Sequence, residues 1–128
     1  MDNNFLKGRK VLIVDDEIDI RKLLKILVTS LGASVMEASS GYEALYLYLK
    51  IKPDLIILDH MMPLLNGDEV CREIRREWKD TRIPIIMLTA RYDDTDRLTS
   101  RVIGVTVYMT KPFDTELLVA NLKKLLVK

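Results

Sequence analysis

Five short apolar runs constrain this chain more than any other feature: Lys10–Val14, Ser34–Ala38, Leu55–Leu58, Ile83–Leu88 and Thr106–Met109. Segments such as VLIV and LIIL do not alternate apolar with polar residues, as expected of strands covered on both faces. Between the runs lie stretches with helical spacing. In the first, Ile20, Leu23, Leu24, Leu27 and Leu31 share a stripe and Gly32 marks the stop. A second helix is predicted to open at Ser40, with Glu43 three residues on in a capping-box relation, and a third at Asn66, with Glu69 in the same relation. The third carries Val70, Ile74 and Trp78 inward. A fourth is predicted over about Asp93 to Ile103, ending at Gly104, and a fifth begins near Asp114 and stacks Leu118, Leu122 and Leu125. Every connection is long enough to hold a helix, so the strands pair in parallel through right-handed crossovers. The expectation is one open α/β domain over residues 10–128, with residues 1–9 as an N-terminal tail.

Composition narrows the function without naming it. At 128 residues the chain can bury a core unaided, and its 48% apolar and 30% charged shares are those of an ordinary globular domain. No apolar run is long enough to span a bilayer, and MDNNFLKGR lacks the hydrophobic segment of a signal peptide. A single cysteine, Cys71, suits a reducing cytosol. The net charge is +1 with Lys and Arg scattered among Asp and Glu, which argues against this domain gripping nucleic acid by itself.

The polar residues that close the runs carry the chemistry. The first ends in Asp15-Asp16, the third in Asp59, the fourth in Thr89, and the fifth leads through Thr110 to Lys111. In a parallel sheet these ends share one edge, where ligands of open α/β sheets bind. Taken singly, Asp15 or Asp16 reads as a cap for the helix starting near Glu17, Thr89 as a strand-end hydroxyl, and Lys111 as a surface lysine. Together they make a site of three carboxylates, a hydroxyl and an ammonium. Crowded carboxylates repel, and Mg²⁺ relieves that repulsion through oxygen ligands. Metal, lysine and hydroxyl around a free carboxylate suit phosphoryl transfer, with the carboxylate as nucleophile. His60 has no imidazole or cysteine neighbour in sequence and reads as incidental, Cys71 as core, and Met61 and Met62 as packing.

These stretches resemble the receiver domains of two-component response regulators from Lys10 to the C-terminus. KVLIVDDE at 10–17 is similar to the family's acidic first-strand end. Asp59-His60-Met61-Met62-Pro63 with Gly67 matches its D-x-x-M-P-x-x-x-G motif. Leu88-Thr89-Ala90 matches its fourth-strand end, and Tyr108-Met109-Thr110-Lys111-Pro112-Phe113 its Y-x-x-K-P-F. The resemblance implies a flavodoxin-like fold: an open five-stranded parallel sheet of order 2-1-3-4-5 flanked by five helices.

It also implies roles. Asp59 is the phosphoacceptor, taking its phosphoryl group from a phosphohistidine on a sensor histidine kinase or phosphotransfer protein. Asp16 binds Mg²⁺ directly, Asp15 mainly through water, and Asp59 and the Met61 backbone carbonyl complete the ligands. Lys111 contacts the phosphoryl group from a loop shaped by a cis bond to Pro112. Thr89 swings onto that group, and Tyr108 turns inward to alter the face made by the fourth helix, fifth strand and fifth helix. That face then controls a partner, an output domain or a homodimer, in a cytoplasmic signalling module that is not a turnover enzyme. One departure bears on the dimer: Thr106 and Val107 of GVTVY stand where receivers joined to winged-helix DNA-binding domains often carry two acidic residues.

Two other readings compete. A haloacid-dehalogenase-like phosphohydrolase also uses a strand-end Asp and Mg²⁺, but places its nucleophile in a D-x-D motif after the first strand and usually adds a cap domain. A docking domain with a vestigial site is opposed by intact Asp59, Thr89 and Lys111. Neither G-x-x-x-x-G-K-[ST] nor G-x-G-x-x-G occurs, which removes the common nucleotide-binding classes.

Overall fold

The computed structural model describes residues 4–90 and 103–127. Its strands are β1 (Lys10–Val14), β2 (Ser34–Ala38), β3 (Leu55–Asp59), β4 (Ile85–Thr89) and β5 (Val107–Thr110), paired in parallel in the order β2-β1-β3-β4-β5. The described helices are α1 (Ile18–Ser30), α2 (Gly41–Ile51), α3 (Gly67–Arg72) and α4 (Thr115–Leu126). The helix predicted over 93–103 lies outside the described residues but for its last position, Ile103, which is buried.

Non-alternating runs are explained by two cores, one on each face of the sheet. Val11 and Ile13 of β1, Leu55 and Ile57 of β3, and Ile86 and Leu88 of β4 point toward α1 and α4, where they meet Leu24, Val28, Leu118 and Leu122. Their neighbours Leu12, Val14, Ile56, Leu58, Ile85 and Met87 point the other way, toward α2 and α3. β3 and β4 are buried at every position, whereas the edge strands β2 and β5 are only partly covered. A strand buried on both faces fixes its backbone firmly, so the residue at its tip is held rigidly.

Local chemistry sets the helix starts. Asn66 and Glu69 form the full capping box expected for α3. At α2 only half of it forms: the Ser40 side chain accepts from Glu43 N–H, but the Glu43 carboxylate accepts from Ser39 N–H and not from Ser40. Asp114 caps α4 by accepting from Leu117 N–H. The stripe on α1 is narrower than predicted, because Leu23 is 54% exposed while Leu24 and Val28 are buried. β4 begins two residues later than predicted, since Pro84 has no N–H to give to the ladder. After α3 the backbone widens into a π-helical turn, Glu73–Glu77. Just beyond it Trp78 stacks on Tyr48 with ring centroids 5.3 Å apart, and it is partly buried. Ahead of β1, Leu6 is fully buried and its N–H bonds Leu31 O at 2.9 Å.

At Gly67, beside the tip of β3, the fold has no room for a side chain. A Cβ there would lie 2.4 Å from the Asp59 carbonyl oxygen and 2.8 Å from Met87 Sδ, and Gly67 N–H donates to His60 O at 2.8 Å. The loop after β3 thus returns tightly against the strand tip. Gly67→Ala is expected to lower the unfolding free energy by about 1–3 kcal/mol, because backbone atoms must separate. Urea denaturation reads this directly, and an unchanged midpoint would show that the loop yields at no cost.

Candidate functional site at the C-terminal edge of the sheet

All the strand-end residues picked out in the sequence lie at one edge, because the sheet is parallel and in register: Asp59 pairs with Leu88, and Thr89 with Thr110. Asp15, Asp59 and Thr89 are the buried polar residues among those described, in a protein whose core is otherwise apolar. Lys111 reaches into them. Its Nζ lies 2.8 Å from Asp15 Oδ2, 3.0 Å from Asp59 Oδ1 and 3.9 Å from Glu17 Oε1. The loop that carries it leaves β5 with Lys111 N–H bonded to Thr89 O at 2.7 Å, and the Lys111–Pro112 peptide is cis.

Asp15 is not the cap of α1. Glu17 holds that position without a side-chain cap, while Asp15 Oδ1 accepts from Glu17 N–H at 2.9 Å and Oδ2 faces Lys111. Arg21 steadies the same turn, donating from Nη1 to the Asp15 carbonyl at 2.8 Å and from Nε to Glu37 at 3.0 Å. Both Asp15 oxygens are therefore occupied. Asp59 differs: Oδ1 faces Lys111, and Oδ2 is buried with no hydrogen-bond partner among the described residues. A buried, unsatisfied carboxylate oxygen is costly, and such a group calls for a ligand or a function.

The electrostatics follow. Burial pushes the Asp59 carboxyl up to about 6, helped by the nearby charge of Asp15 and opposed by the bond from Lys111. Burial works against the Lys111 ammonium, but its bonds to Asp15 and Asp59 outweigh that and hold it above the usual lysine range. Beside them, Asp15, Asp16 and Glu17 bring carboxylate oxygens within 4.8 Å of one another. Such an all-oxygen donor set, with the orphaned Asp59 Oδ2 near it, fits a hard divalent cation of the Mg²⁺ type. Glu17 is an addition to the predicted acidic group; it follows Asp16 directly, and its sequence signal is the helix start it shares. Met61 is exposed, in the loop after β3.

His60 is not incidental. Its Nδ1 lies 3.2 Å from Thr89 Oγ1, its Nε2 lies 3.1 Å from Asp68 Oδ2 at the start of α3, and its ring meets Tyr108 edge-on at 6.4 Å. One imidazole thus touches the hydroxyl and the aromatic ring that the sequence marked as a pair. No local pattern announces this, because Asp68 and Thr89 reach His60 through tertiary folding. Thr106 helps to hold the sheet together, since its Oγ1 accepts from Ile85 N–H at 2.9 Å and continues the seam between β4 and β5. Among the described residues, no helix is long and apolar enough to cross a membrane.

Comparison with known proteins agrees with this geometry. The response regulator receiver domain family matches residues 11–123. The chain is 49% identical over 117 residues to a probable transcriptional regulator, ycf27, of Guillardia theta, covering 91% of this chain and 45% of that protein. It therefore spans about half the length of the curated relatives it matches. Among solved structures it is similar to the chemotaxis protein CheY4 of Vibrio cholerae, with 34% identity and a TM-score of 0.86 over 92% of this chain and 98% of that one. It is also similar to the BeF3-activated DrrB receiver domain, with 31% identity and a TM-score of 0.83 over 94% and 98%. On this match, together with a five-stranded parallel sheet of order 2-1-3-4-5, the chain belongs to the response regulator receiver domain family, the signalling modules of two-component systems.

Proposed function

We propose that this receiver accepts a phosphoryl group on Asp59 in a Mg²⁺-dependent reaction and relays that event through Thr89 and Tyr108. The observation that carries the reading is Lys111 bridging two buried carboxylates, Asp15 and Asp59, while Asp59 Oδ2 has no partner among the described residues. Buried charges crowded in this way strain the site, and a cation with a phosphoryl group is its natural complement.

Asp16, Asp59 and the Met61 carbonyl would hold Mg²⁺, with Asp15 acting mainly through water and Glu17 adding negative charge at the rim. The ion supplies charge neutralisation on the phosphoryl oxygens. Asp59 acts as nucleophile: an O–P bond forms as the N–P bond of a phosphohistidine breaks, and the departing imidazole takes a proton. Lys111 releases Asp59 and contacts the new phosphoryl oxygens, and Thr89 donates its hydroxyl to them. A roughly dianionic adduct offers acceptors that these two groups satisfy only by moving. The face built from β5 and α4 changes with them, which biases an equilibrium between two packings.

The donor in this reading is a sensor histidine kinase or a phosphotransfer protein, and the setting is the cytoplasm. The relative named as a transcriptional regulator supports control of a DNA-binding output domain, with the receiver itself making no contact to nucleic acid. A homodimer through the β5 and α4 face is part of the proposal. Thr106, engaged with Ile85, and the half-buried Val107 give that face a more apolar seam than an acidic pair would.

Incubation with Mg²⁺ and acetyl phosphate is expected to add one base-labile phosphoryl group, and Asp59→Asn is expected to add none. Repeated turnover of phosphate esters without an accumulated adduct would favour a hydrolase instead.

A further inference from the structure

We infer that His60 is a positioning residue that latches the Thr89 hydroxyl in the unphosphorylated receiver, so that switching must first break the His60–Thr89 contact. This rests on the phosphoacceptor reading and adds to it a restraint that no motif residue supplies.

Asp68 sets the state of the ring. Its Oδ2 lies 3.1 Å from His60 Nε2, while Oδ1 is buried and has no hydrogen-bond partner among the described residues. A carboxylate can only accept, so Asp68 keeps the ring hydrogen on Nε2 and holds the ring in place. In the singly protonated ring Nδ1 is then the acceptor, 3.2 Å from Thr89 Oγ1, and the Thr89 hydroxyl donates to it. That hydroxyl has one hydrogen. While it is given to His60 it is not available to an oxygen on Asp59.

Geometry makes the latch firm. His60 follows β3, and its own N–H is fixed to Leu88 O at 2.9 Å. Its carbonyl is fixed by Gly67 N–H at 2.8 Å, and Gly67 leaves no slack against Asp59. Thr89 closes β4, is 2% exposed, and anchors the Lys111 backbone through its carbonyl. Tyr108 meets the edge of the same ring, so a change at Thr89 and a change at Tyr108 both pass beside His60.

Beryllofluoride, a mimic of the phosphoryl group, tests this in the intact chain with Mg²⁺ at constant pH. His60→Gln places an amide where Nε2 stood, keeping Asp68 satisfied while losing the acceptor for Thr89. Its apparent affinity for beryllofluoride is expected to rise roughly three- to tenfold, the worth of one hydrogen bond. His60→Asn places an amide oxygen where Nδ1 stood and is expected to restore the native affinity. Asp68→Ala, which frees the ring without touching the acidic pocket, is expected to move affinity in the same direction as His60→Gln. In a Thr89→Ala background the effect of His60→Gln is expected to vanish. An unchanged or weaker affinity in His60→Gln, or an equal rise with Thr89 removed, overturns the latch while leaving the phosphoacceptor reading intact. A native chain that binds no beryllofluoride overturns that reading, and the latch with it.

Discussion

Asp59→Asn is expected to stabilise the protein by on the order of 2 kcal/mol at pH 7 in metal-free buffer, even as it abolishes phosphorylation. The cause is the buried carboxyl, held up to about 6 by burial and by the charge of Asp15. Because the folded value lies above the ordinary one, the folded state keeps a proton that the unfolded chain has lost. Stability contributed by this group is therefore full below about pH 4, falls as pH rises toward 6, and is absent above that. Asn resembles the protonated form and escapes the loss, so its advantage should disappear near pH 4. Mg²⁺ should shrink the difference too, since binding to the native carboxylates stabilises the native chain by mass action. Paired urea titrations at pH 4 and pH 7 test this. Equal stability of the two chains at pH 7 would mean that Asp59 is already compensated in the folded state.

Lys111→Met is expected to act in the opposite direction, costing about 3 kcal/mol at pH 7 without metal. It leaves Asp15 and Asp59 buried together without the ammonium that now touches both. Asp59 then holds its proton to a pH above its present value, so the variant should regain stability on acidification over a range shifted upward from that of the native chain. Added Mg²⁺ should recover part of the loss, because a cation at the rim replaces the one removed. The same variant should label poorly from acetyl phosphate, since the phosphoryl oxygens lose a positive partner. Thermal melts with and without Mg²⁺ would show it, and a melt indifferent to both pH and metal would count against the electrostatic account.

Part of what both expectations rest on is legible in the sequence alone. The runs around Val11–Val14 and Leu55–Leu58 pointed to parallel strands buried on both faces, and the polar residues ending them fell at one edge because parallel strands share a direction. The capping box at Asn66 was equally plain, being local, as was a helix start near Asp114. Properties decided by distant neighbours were not legible. Leu23 has the same spacing as its buried companions, yet it lies at the margin of the α1 stripe and faces solvent. Leu6 sits in a polar segment whose burial depends on the α1 C-terminus folding beside it. The pull of Asp68 on His60 spans eight residues and a sharp loop, so a histidine without nearby metal-ligand partners read as incidental. In the site itself the residue types were readable, but the bridging position of Lys111 and the isolation of Asp59 Oδ2 come only from packing.

Borohydride reduction of the chain after treatment with acetyl phosphate, followed by peptide mapping, bears most directly on the claim that the gathered rim makes Asp59 a Mg²⁺-dependent phosphoacceptor. Reduction of an aspartyl phosphate leaves homoserine, and it is expected at position 59 alone, in the presence of Mg²⁺ and not with a chelator. Homoserine at another acidic position, or the same yield at 59 without divalent metal, would contradict the account.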